Sequence, residues 1–272
     1  MARLKAVSDV MVVFGRFIPW MVYAEDRDIV EFYFTVSNKP GQLMKAIEIF
    51  TKYKVNILNI SAYALPDWDR APVFIFADFT DLDIDVGQIK GELELVTGGK
   101  VYLKTPPAKG FMMDEFAFPL YVFPGARSLI ILEHDFQEMI RGLYEKLGET
   151  GAILIYHLAY SGGKLLAKYL SEKLGLKDTE LLIEVLKVYQ AGGWGRVELI
   201  RYNPLTMSIV LRLYDSIECK TFKGSDKPAS QFIRGHLSGL LSGLLNADIR
   251  IIESKCIAKG DPYCEFHGGS VS

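Results

Sequence analysis

The residues of this chain with the clearest metal-binding chemistry lie close together near its C-terminal end. Glu253, Cys256 and Cys264 fall in one short stretch, with seven residues between the two cysteines. The pattern around them predicts a strand, a tight turn at residues 260–262 and a returning strand. Thiolates and a carboxylate are zinc ligands, so this hairpin could bring together three of the four ligands that a structural site needs. The alternative is that both cysteines are small buried core residues.

The residues upstream of the hairpin give it a family context. Residues 230–241 read SQFIRGHLSGLL, and a Gly193-Trp194-Gly195 triplet lies further back. Together with the hairpin, these motifs resemble the vinyl-4-reductase-type domain over about residues 110–270. That family includes a bacteriochlorophyll-biosynthesis protein and the effector-binding domains of aromatic-responsive transcription activators. The resemblance implies a domain that binds a small apolar or aromatic molecule.

The same resemblance implies zinc as a cofactor. Aromatic-sensing members hold a zinc ion with one Cys, a Glu and two further Cys, and the last three correspond to Glu253, Cys256 and Cys264. The first Cys corresponds to Ser230, whose hydroxyl is a poor zinc ligand beside thiolates. The fourth ligand therefore stays open at this stage. The residues that could substitute for it are Cys219, His236 and His267.

Composition limits the classes of protein to consider. The chain has 272 residues, of which half are hydrophobic and about a quarter charged, and its net charge is −2. This is globular composition without a basic field that would favour nucleic acid or an anionic membrane. An odd count of three cysteines argues against a disulfide framework and predicts a cytoplasmic protein.

Residues 1–27 are predicted to be an N-terminal extension. Its apolar part, residues 10–23, is too short to span a bilayer, contains Arg16 and Pro19, and lacks a small-residue cleavage site. We therefore expect a docked strand or amphipathic segment, with a dimer contact as one role.

Residues 28–105 alternate between strand and helix patterns. Strands are predicted at 28–36, 55–65, 72–79 and 100–104, and helices at 42–50 and 86–95. This order is the β-α-β-β-α-β arrangement of a ferredoxin-like module. Asn38, Pro40, Gly41 and Leu43 follow the first strand in a motif that resembles that of the ACT domain, a regulatory module of amino-acid metabolism.

The loop at the start of the first predicted helix is a candidate ligand site. Asn38 is expected to cap the helix, Pro40 suits its first turn, and Gly41 lets a ligand approach the backbone. The free N–H groups there favour a carboxylate. The resemblance implies that Asn38, Pro40, Gly41, Gln42 and Leu43 bind an amino acid or similar effector where two modules pair, so a homodimer is expected. The alternative is a strand-to-helix turn without a ligand.

The remaining residues, 106–272, are predicted to form an α+β domain after a Pro-rich boundary at 105–110. Helices are expected at 126–147, 151–170, 178–190 and 228–245, with Asp178 capping the third. Strands at 196–202 and 207–214 precede the C-terminal hairpin, so the helices should pack on an antiparallel sheet. His157, Tyr160 and Trp194 are candidates for a ligand pocket because each is aromatic with a hydrogen-bonding edge. Each could equally be a core residue.

Catalytic motifs give little support for an enzyme. Residues 160–163 are not a nucleophile elbow, residues 192–195 lack the context of a dinucleotide fingerprint, and no P-loop occurs. We therefore expect a non-catalytic, ligand-sensing regulatory protein that acts through a protein partner and contacts neither nucleic acid nor membrane. Two alternatives remain. One is an enzyme, a reductase or metal-assisted catalyst acting on a hydrophobic substrate, and the other is an assembly factor resembling vesicle-tethering subunits.

Overall fold

The computed structural model describes residues 15–270. The chain divides into two compact units, Asp9–Leu129 and, for its second part, Ile130–Ser272. Each unit is described by itself. The module boundaries drawn from the sequence, 1–27, 28–105 and 106–272, stay a prediction, and the contact-based division falls instead after Leu129.

The N-terminal unit is built on a four-stranded antiparallel sheet with the order β3-β4-β2-β5. Two helices follow β2 and β4, which gives the ferredoxin-like β-α-β-β-α-β arrangement. The strands are β1 (Met21–Tyr23), β2 (Ile29–Ser37), β3 (Asn56–Ala62), β4 (Arg70–Asp78), β5 (Tyr102–Lys104), β6 (Phe111–Met113), β7 (Tyr121–Phe123) and β8 (Ala126–Arg127). The helices are α1 (Gln42–Lys52) and α2 (Val86–Thr97). The fold class predicted for this part of the chain is confirmed.

Strand alternation decides which face of this sheet packs on the helices. Phe32, Phe34, Val73 and Ile75 are fully or almost fully buried and lie in one core with residues of α1 and α2. Their neighbours in sequence point to the opposite face, since successive strand residues alternate. On that opposite face Ile29 and Phe76 pack with Met112 of β6.

The start of α1 differs from the expectation. Gly41 is the N-cap, with φ +82°, a left-handed conformation that glycine adopts without strain. Asn38 does not cap the helix, because its Nδ2 group donates to the carbonyls of Leu65 at 2.6 Å and Trp68 at 2.9 Å. The predicted cap was therefore wrong, and Asn38 instead fastens the loop to the β3–β4 turn.

The N-terminal extension can be followed only in part. Residues 1–14 of the segment expected to dock as a strand or amphipathic element lie outside the described residues. Within the described part, β1 pairs antiparallel with β6, so that Met21 lies opposite Met113. This part of the extension is a docked strand.

The C-terminal unit packs helices on a second four-stranded antiparallel sheet with the order β11-β12-β10-β9. Its helices are α3 (Glu133–Leu147), α4 (Glu149–Leu174), α5 (Asp178–Ala191) and α6 (Gln231–Leu245). Its strands are β9 (Arg196–Asn203), β10 (Ser208–Tyr214), β11 (Ile249–Lys255) and β12 (Cys264–Ser270). The predicted α+β architecture is confirmed. Short 3₁₀ helices occur at Cys219–Phe222 and Ile257–Lys259.

Two details of the helix predictions were wrong. The helix expected from residue 126 begins at Glu133, because Ala126–Arg127 pairs with Tyr121–Phe123 around the turn at residues 124–125. Asp178 is the first residue of α5, and Lys177 is its N-cap, without a side-chain hydrogen bond.

Helices α4 and α6 approach each other closely because glycines line their contact. A Cβ atom on Gly163 would lie 2.1 Å from the His236 carbonyl oxygen, and one on Gly239 would lie 1.9 Å from that of Tyr160. Gly235 has the same relation to Tyr156, at 2.2 Å. No larger side chain fits between these backbones. Among the described residues, no helix combines the length and apolar character needed to cross a membrane.

Candidate functional site

Three cysteines and one glutamate meet in the C-terminal unit. Cys219 opens a 3₁₀ helix after β10, Glu253 lies on β11, Cys256 follows β11, and Cys264 begins β12. Their ligand atoms all lie within 4.8 Å of one another. All three cysteines are completely buried. The arrangement is a Cys₃Glu cluster that could hold a metal ion.

A β-bulge explains why Glu253 and Cys256 reach the same side. Residues three apart on a regular strand point to opposite faces. The pairing of β11 with β12 shifts between Glu253 and Lys255, so Glu253 lies opposite Phe266 and Lys255 opposite Glu265. This extra residue changes the alternation, as bulges do. Glu253 and Cys256 can therefore both face the cluster.

Distances within the cluster suit a tetrahedral ion. The Cys219 sulfur lies 3.6 Å from that of Cys256 and 3.4 Å from that of Cys264. Zinc–sulfur bonds of about 2.3 Å in tetrahedral geometry place sulfurs about 3.7 Å apart. Thiolates with one carboxylate also match the ligand preference of zinc. The residues present therefore fit this ion.

Ser230, the position where the related ligand set has a Cys, lies beside the cluster. Its hydroxyl donates to Glu253 Oε1 at 2.7 Å and lies 2.9 Å from the Cys219 sulfur. The thiol of Cys219 thus occupies the side of the cluster that the missing cysteine would serve. Ser230 can orient the carboxylate through this hydrogen bond, as residues that support metal ligands do.

Of the three substitutes considered for the fourth ligand, the structure brings only Cys219 into the cluster. His236 is buried and its Nδ1 lies 2.8 Å from the Tyr189 hydroxyl. His267 lies on β12 with its Nε2 3.3 Å from Glu265 Oε1. Both histidines therefore have partners elsewhere.

Backbone N–H groups point at two of the sulfurs. Ala229 N donates to Cys256 Sγ and Ile257 N donates to Cys264 Sγ, each at 3.4 Å. Such bonds favour the thiolate form, which is the form that binds metal. The thiols of Cys219 and Cys264 hold the pKa of Cys256 well below its usual range. Cys256 is therefore the first thiol of the cluster to ionise.

Burial raises the pKa of Glu253 to about 8, and the charge of the Cys256 thiolate adds to this effect. Hydrogen bonding to Cys256 raises the pKa of Cys219 to about 12, and that of Cys264 is raised by Cys219 and Cys256. The cluster therefore resists carrying several negative charges by itself. A divalent cation reverses this preference, because it binds the deprotonated ligands.

Glu218 is a functional residue that the sequence analysis missed. It is completely buried, and its carboxylate accepts the N–H groups of Phe232 at 2.8 Å and Ile233 at 3.0 Å. These are first-turn groups of α6, which otherwise lack helix partners. Glu218 thereby fastens the Cys219 segment to the start of α6. An acidic residue directly before Cys219 was the available signal.

A groove of about 1000 Å³ adjoins the cluster. His157 and Tyr160 of α4 line it, as do the charged residues Arg234 and Arg250. The remaining lining residues are Tyr144, Gly148, Glu149, Ala152, Ile153, Tyr156, Phe222, Ser225, Asp226, Lys227, Pro228, Ala229, Gln231, Asp248 and Ile249. Aromatic rings and charged groups thus share the groove.

Trp194, the third pocket candidate, is not part of this lining. Its ring packs in the core, with its centroid 4.9 Å from that of His236 and 5.2 Å from that of Phe232. Burial lowers the pKa of His236 to about 4, so this ring is neutral at physiological pH. The structure therefore brings two of the three candidates together and places Trp194 in an aromatic core.

One wall of the groove is attached directly to the cluster. Phe222 and residues 225–229 form this wall, between Cys219 at one end and Ser230 at the other. The Ala229 N–H group bonds to the Cys256 sulfur. Binding of a metal ion would therefore fix both ends of the wall.

Comparison with known proteins places this geometry in a family. Residues 209–270 match the model of the vinyl-4-reductase domain, a span that includes β10, α6, the C-terminal hairpin and all four cluster residues. The chain is 33% identical over 124 residues to the uncharacterized protein MJ1642 of Methanocaldococcus jannaschii, a match covering 46% of this chain and 68% of that protein. The chain therefore belongs to the family of that archaeal protein, and its C-terminal region carries a vinyl-4-reductase domain.

Two solved structures resemble part of the chain. The phenol-responsive sensory domain of the transcription activator PoxR, crystallised with phenol, has a TM-score of 0.49 and 18% identity, over 53% of this chain and 77% of that one. A vinyl-4-reductase family protein from Methanocaldococcus jannaschii has a TM-score of 0.39 and 19% identity, over 53% and 85% of the two chains.

Proposed function

We propose that this chain is a non-catalytic regulatory protein whose C-terminal unit binds a small aromatic molecule in the groove beside the Cys₃Glu cluster. The observation that carries the proposal is that the cluster fastens both ends of the groove wall between Cys219 and Ser230. A wall set in this way can give a preformed site, which is the usual character of small-molecule pockets. The match to the vinyl-4-reductase domain covers this region.

The chemistry of the groove favours an aromatic ligand with an anionic group. Tyr156 and Tyr160 present rings from α4. The Arg234 guanidinium lies 4.8 Å from the ring centre of Tyr156, so its fork is held at the edge of the aromatic surface. Arginine in such a position recognises a carboxylate through paired hydrogen bonds. A ring between the tyrosines and a carboxylate at Arg234 would use both features.

We propose zinc as the ion held by Cys219, Glu253, Cys256 and Cys264. Four protein ligands complete a tetrahedral shell and leave no position for a substrate, which is typical of structural zinc. This ligand count favours a structural role over a metal-assisted reaction. The cluster keeps three thiols free and buried, a state that suits a reducing compartment such as the cytoplasm.

For the N-terminal unit we propose an ACT-like role, with an amino acid or similar effector at the loop of residues 38–43. Asn38 and Leu43 line a cavity of only about 130 Å³ there, and Pro40, Gly41 and Gln42 are not among its lining residues. Small-molecule sites usually occupy about 300–1000 Å³. A second copy would have to supply further walls, so this proposal requires a homodimer. Light scattering should then give twice the mass of the chain.

Titration calorimetry with benzoate and benzyl alcohol tests the groove. We expect benzoate to bind the zinc-loaded protein, and Arg234→Gln to weaken it by about tenfold or more, the effect of losing a charge-assisted hydrogen bond. Benzyl alcohol should respond less to this substitution. The matched control is Arg201→Gln, an exposed arginine on β9 outside the groove. Equal benzoate affinity in the Arg234→Gln variant would contradict the proposed ligand orientation.

The same titration after metal removal tests the role of the cluster. If zinc sets the groove wall, chelation should weaken benzoate while the N-terminal unit stays folded. Unchanged binding to the metal-free protein would show that the wall does not depend on the ion.

A further inference from the structure

The N-terminal unit contains a second cavity that is unlike the groove in chemistry. It measures about 600 Å³ and lies on the sheet face opposite α1 and α2. Ser61 of β3 and Phe74 of β4 form its floor, and they lie opposite each other in the strand register. Its volume falls within the usual range for small-molecule sites.

Aromatic side chains form most of the walls of this cavity. Trp20 comes from the segment before β1, Tyr63 and Trp68 come from the β3–β4 connection, and Tyr121 comes from β7. The rings of Tyr63 and Trp68 lie 5.9 Å apart between centroids and are tilted by 56°. Indole and phenol faces carry negative potential and attract cations as well as apolar rings.

The cavity has a single charged side chain in its lining, Asp114. Both backbone N–H bonds to this carboxylate, from Phe116 at 2.7 Å and Ala117 at 2.9 Å, end on its Oδ1 atom. These bonds fix the orientation of the carboxylate within the turn after β6. An acidic group at a cavity lined by aromatic rings favours a positively charged ligand.

Buried polar atoms on the same sheet face provide an independent sign of polar chemistry there. Glu31 of β2 is completely buried, and neither of its carboxyl oxygens has a well-formed hydrogen bond within the described part of the chain. The side-chain oxygen of Asn59 is in the same state. Both residues flank Phe76 in the register row next to that of Ser61 and Phe74. Natural structures leave few such groups buried without a role.

Glu31 and Asp114 are also electrostatic neighbours. Burial, together with the adjacent Asp114 carboxyl, raises the pKa of Glu31 to about 8. Glu31 is therefore largely protonated at neutral pH, and Asp114 carries the negative charge at this face of the sheet.

We propose that this cavity binds a flat aromatic amine, with its ring between the aromatic walls and its ammonium group at Asp114. This site is separate from the groove of the C-terminal unit, and it differs from the loop at residues 38–43. Its ligand also has the opposite charge to that favoured by Arg234. The two sites can therefore be distinguished with one pair of ligands.

Calorimetry with 2-phenylethylamine and 3-phenylpropionate provides the test, because the two molecules have similar shape and opposite charge. We expect 2-phenylethylamine to bind about tenfold more tightly at this site, and Asp114→Asn to remove that advantage, as expected for one charge-assisted contact. The asparagine oxygen can still accept the N–H groups of Phe116 and Ala117, so the turn should persist. Asp83→Asn is the matched control, because Asp83 is exposed and lies outside the cavity lining.

A second variant locates the binding. Trp68→Leu should weaken 2-phenylethylamine, whereas Arg234→Gln in the other unit should leave it unchanged. The proposal is overturned if the folded wild type does not bind 2-phenylethylamine at millimolar concentration. It is also overturned if the Asp114→Asn variant binds the amine as well as the wild type does. Neither result would affect benzoate binding at the groove.

Discussion

The two units of this chain form their candidate sites by different means. In the C-terminal unit, four ligand atoms within 4.8 Å of one another fasten the wall of a charged groove. In the N-terminal unit, aromatic rings packed on an open sheet face enclose an apolar cavity around one carboxylate. The first site should depend on an ion and the second on packing alone. This difference predicts that metal, substitution and pH act on one unit and not on the other.

Metal removal should produce the largest effect. A structural zinc site contributes folding free energy directly, so chelation should lower the unfolding temperature of the C-terminal unit by more than about 10 °C. The N-terminal unit should unfold at the same temperature with and without metal. Differential scanning calorimetry of the whole chain before and after dialysis against a chelator measures both transitions. Equal shifts in the two transitions would remove the distinction between the units.

Substitution at the α4–α6 contact should come next. Gly239→Ala places a methyl group 1.9 Å from the Tyr160 carbonyl oxygen, and we expect it to lower the free energy of unfolding by about 3 kcal/mol through overpacking. Gly142→Ala in α3 is the matched control, because no atom lies within 4 Å of its added methyl group. That control should be neutral or stabilising by about 0.5–1 kcal/mol. Urea denaturation followed by circular dichroism distinguishes them, and equal stability of the two variants would contradict the described helix contact.

Glu31 should make the N-terminal unit sensitive to pH. Its pKa in the folded chain is raised from 4.5 to about 8, so the folded state binds the proton more tightly than the unfolded state. Stability is therefore greatest below the unfolded pKa and falls as pH rises towards 8, by about 2–4 kcal/mol in total. Glu31→Gln should remove most of this slope. Denaturation curves from about pH 5 to 9 provide the measurement, and the same slope in both proteins would contradict the assignment.

The sequence predicted the elements of the fold well, because each has a clear period. The strand and helix pattern of residues 28–105 and the C-terminal hairpin appear in the structure with small changes at their ends. The errors have local causes. Asn38 was expected at a helix cap but bonds to Leu65 and Trp68 in a turn distant in sequence. The helix expected from residue 126 was shortened by a hairpin around residues 124–125.

The cluster was predictable only in part. Glu253, Cys256 and Cys264 are close in sequence, so the hairpin predicted their proximity, whereas Cys219 was one of three possibilities that periodicity could not separate. The spacing of Glu253 and Cys256 is three residues, which on a regular strand requires a bulge. That requirement was a usable signal for the irregular pairing seen in β11.

The two cavities show why binding sites are harder to predict than elements. Their walls come from segments far apart in sequence, as with Trp20, Phe74 and Tyr121 in the aromatic cavity. Trp194 looked suitable for a pocket because of its ring and its N–H group. Its place in the core is decided by contacts with α5 and α6 that no local pattern reveals.

The central claim is that Cys219 completes a zinc site in place of the cysteine absent at position 230. Elemental mass spectrometry of purified wild type, Cys219→Ser and Ser230→Ala tests it most directly. We predict about one zinc per chain in the wild type and in Ser230→Ala, and little or none in Cys219→Ser, since loss of one ligand opens a tetrahedral shell. Folded wild type without zinc would contradict the claim. Retention of zinc by Cys219→Ser with loss from Ser230→Ala would contradict it equally, because Ser230 would then be the ligand.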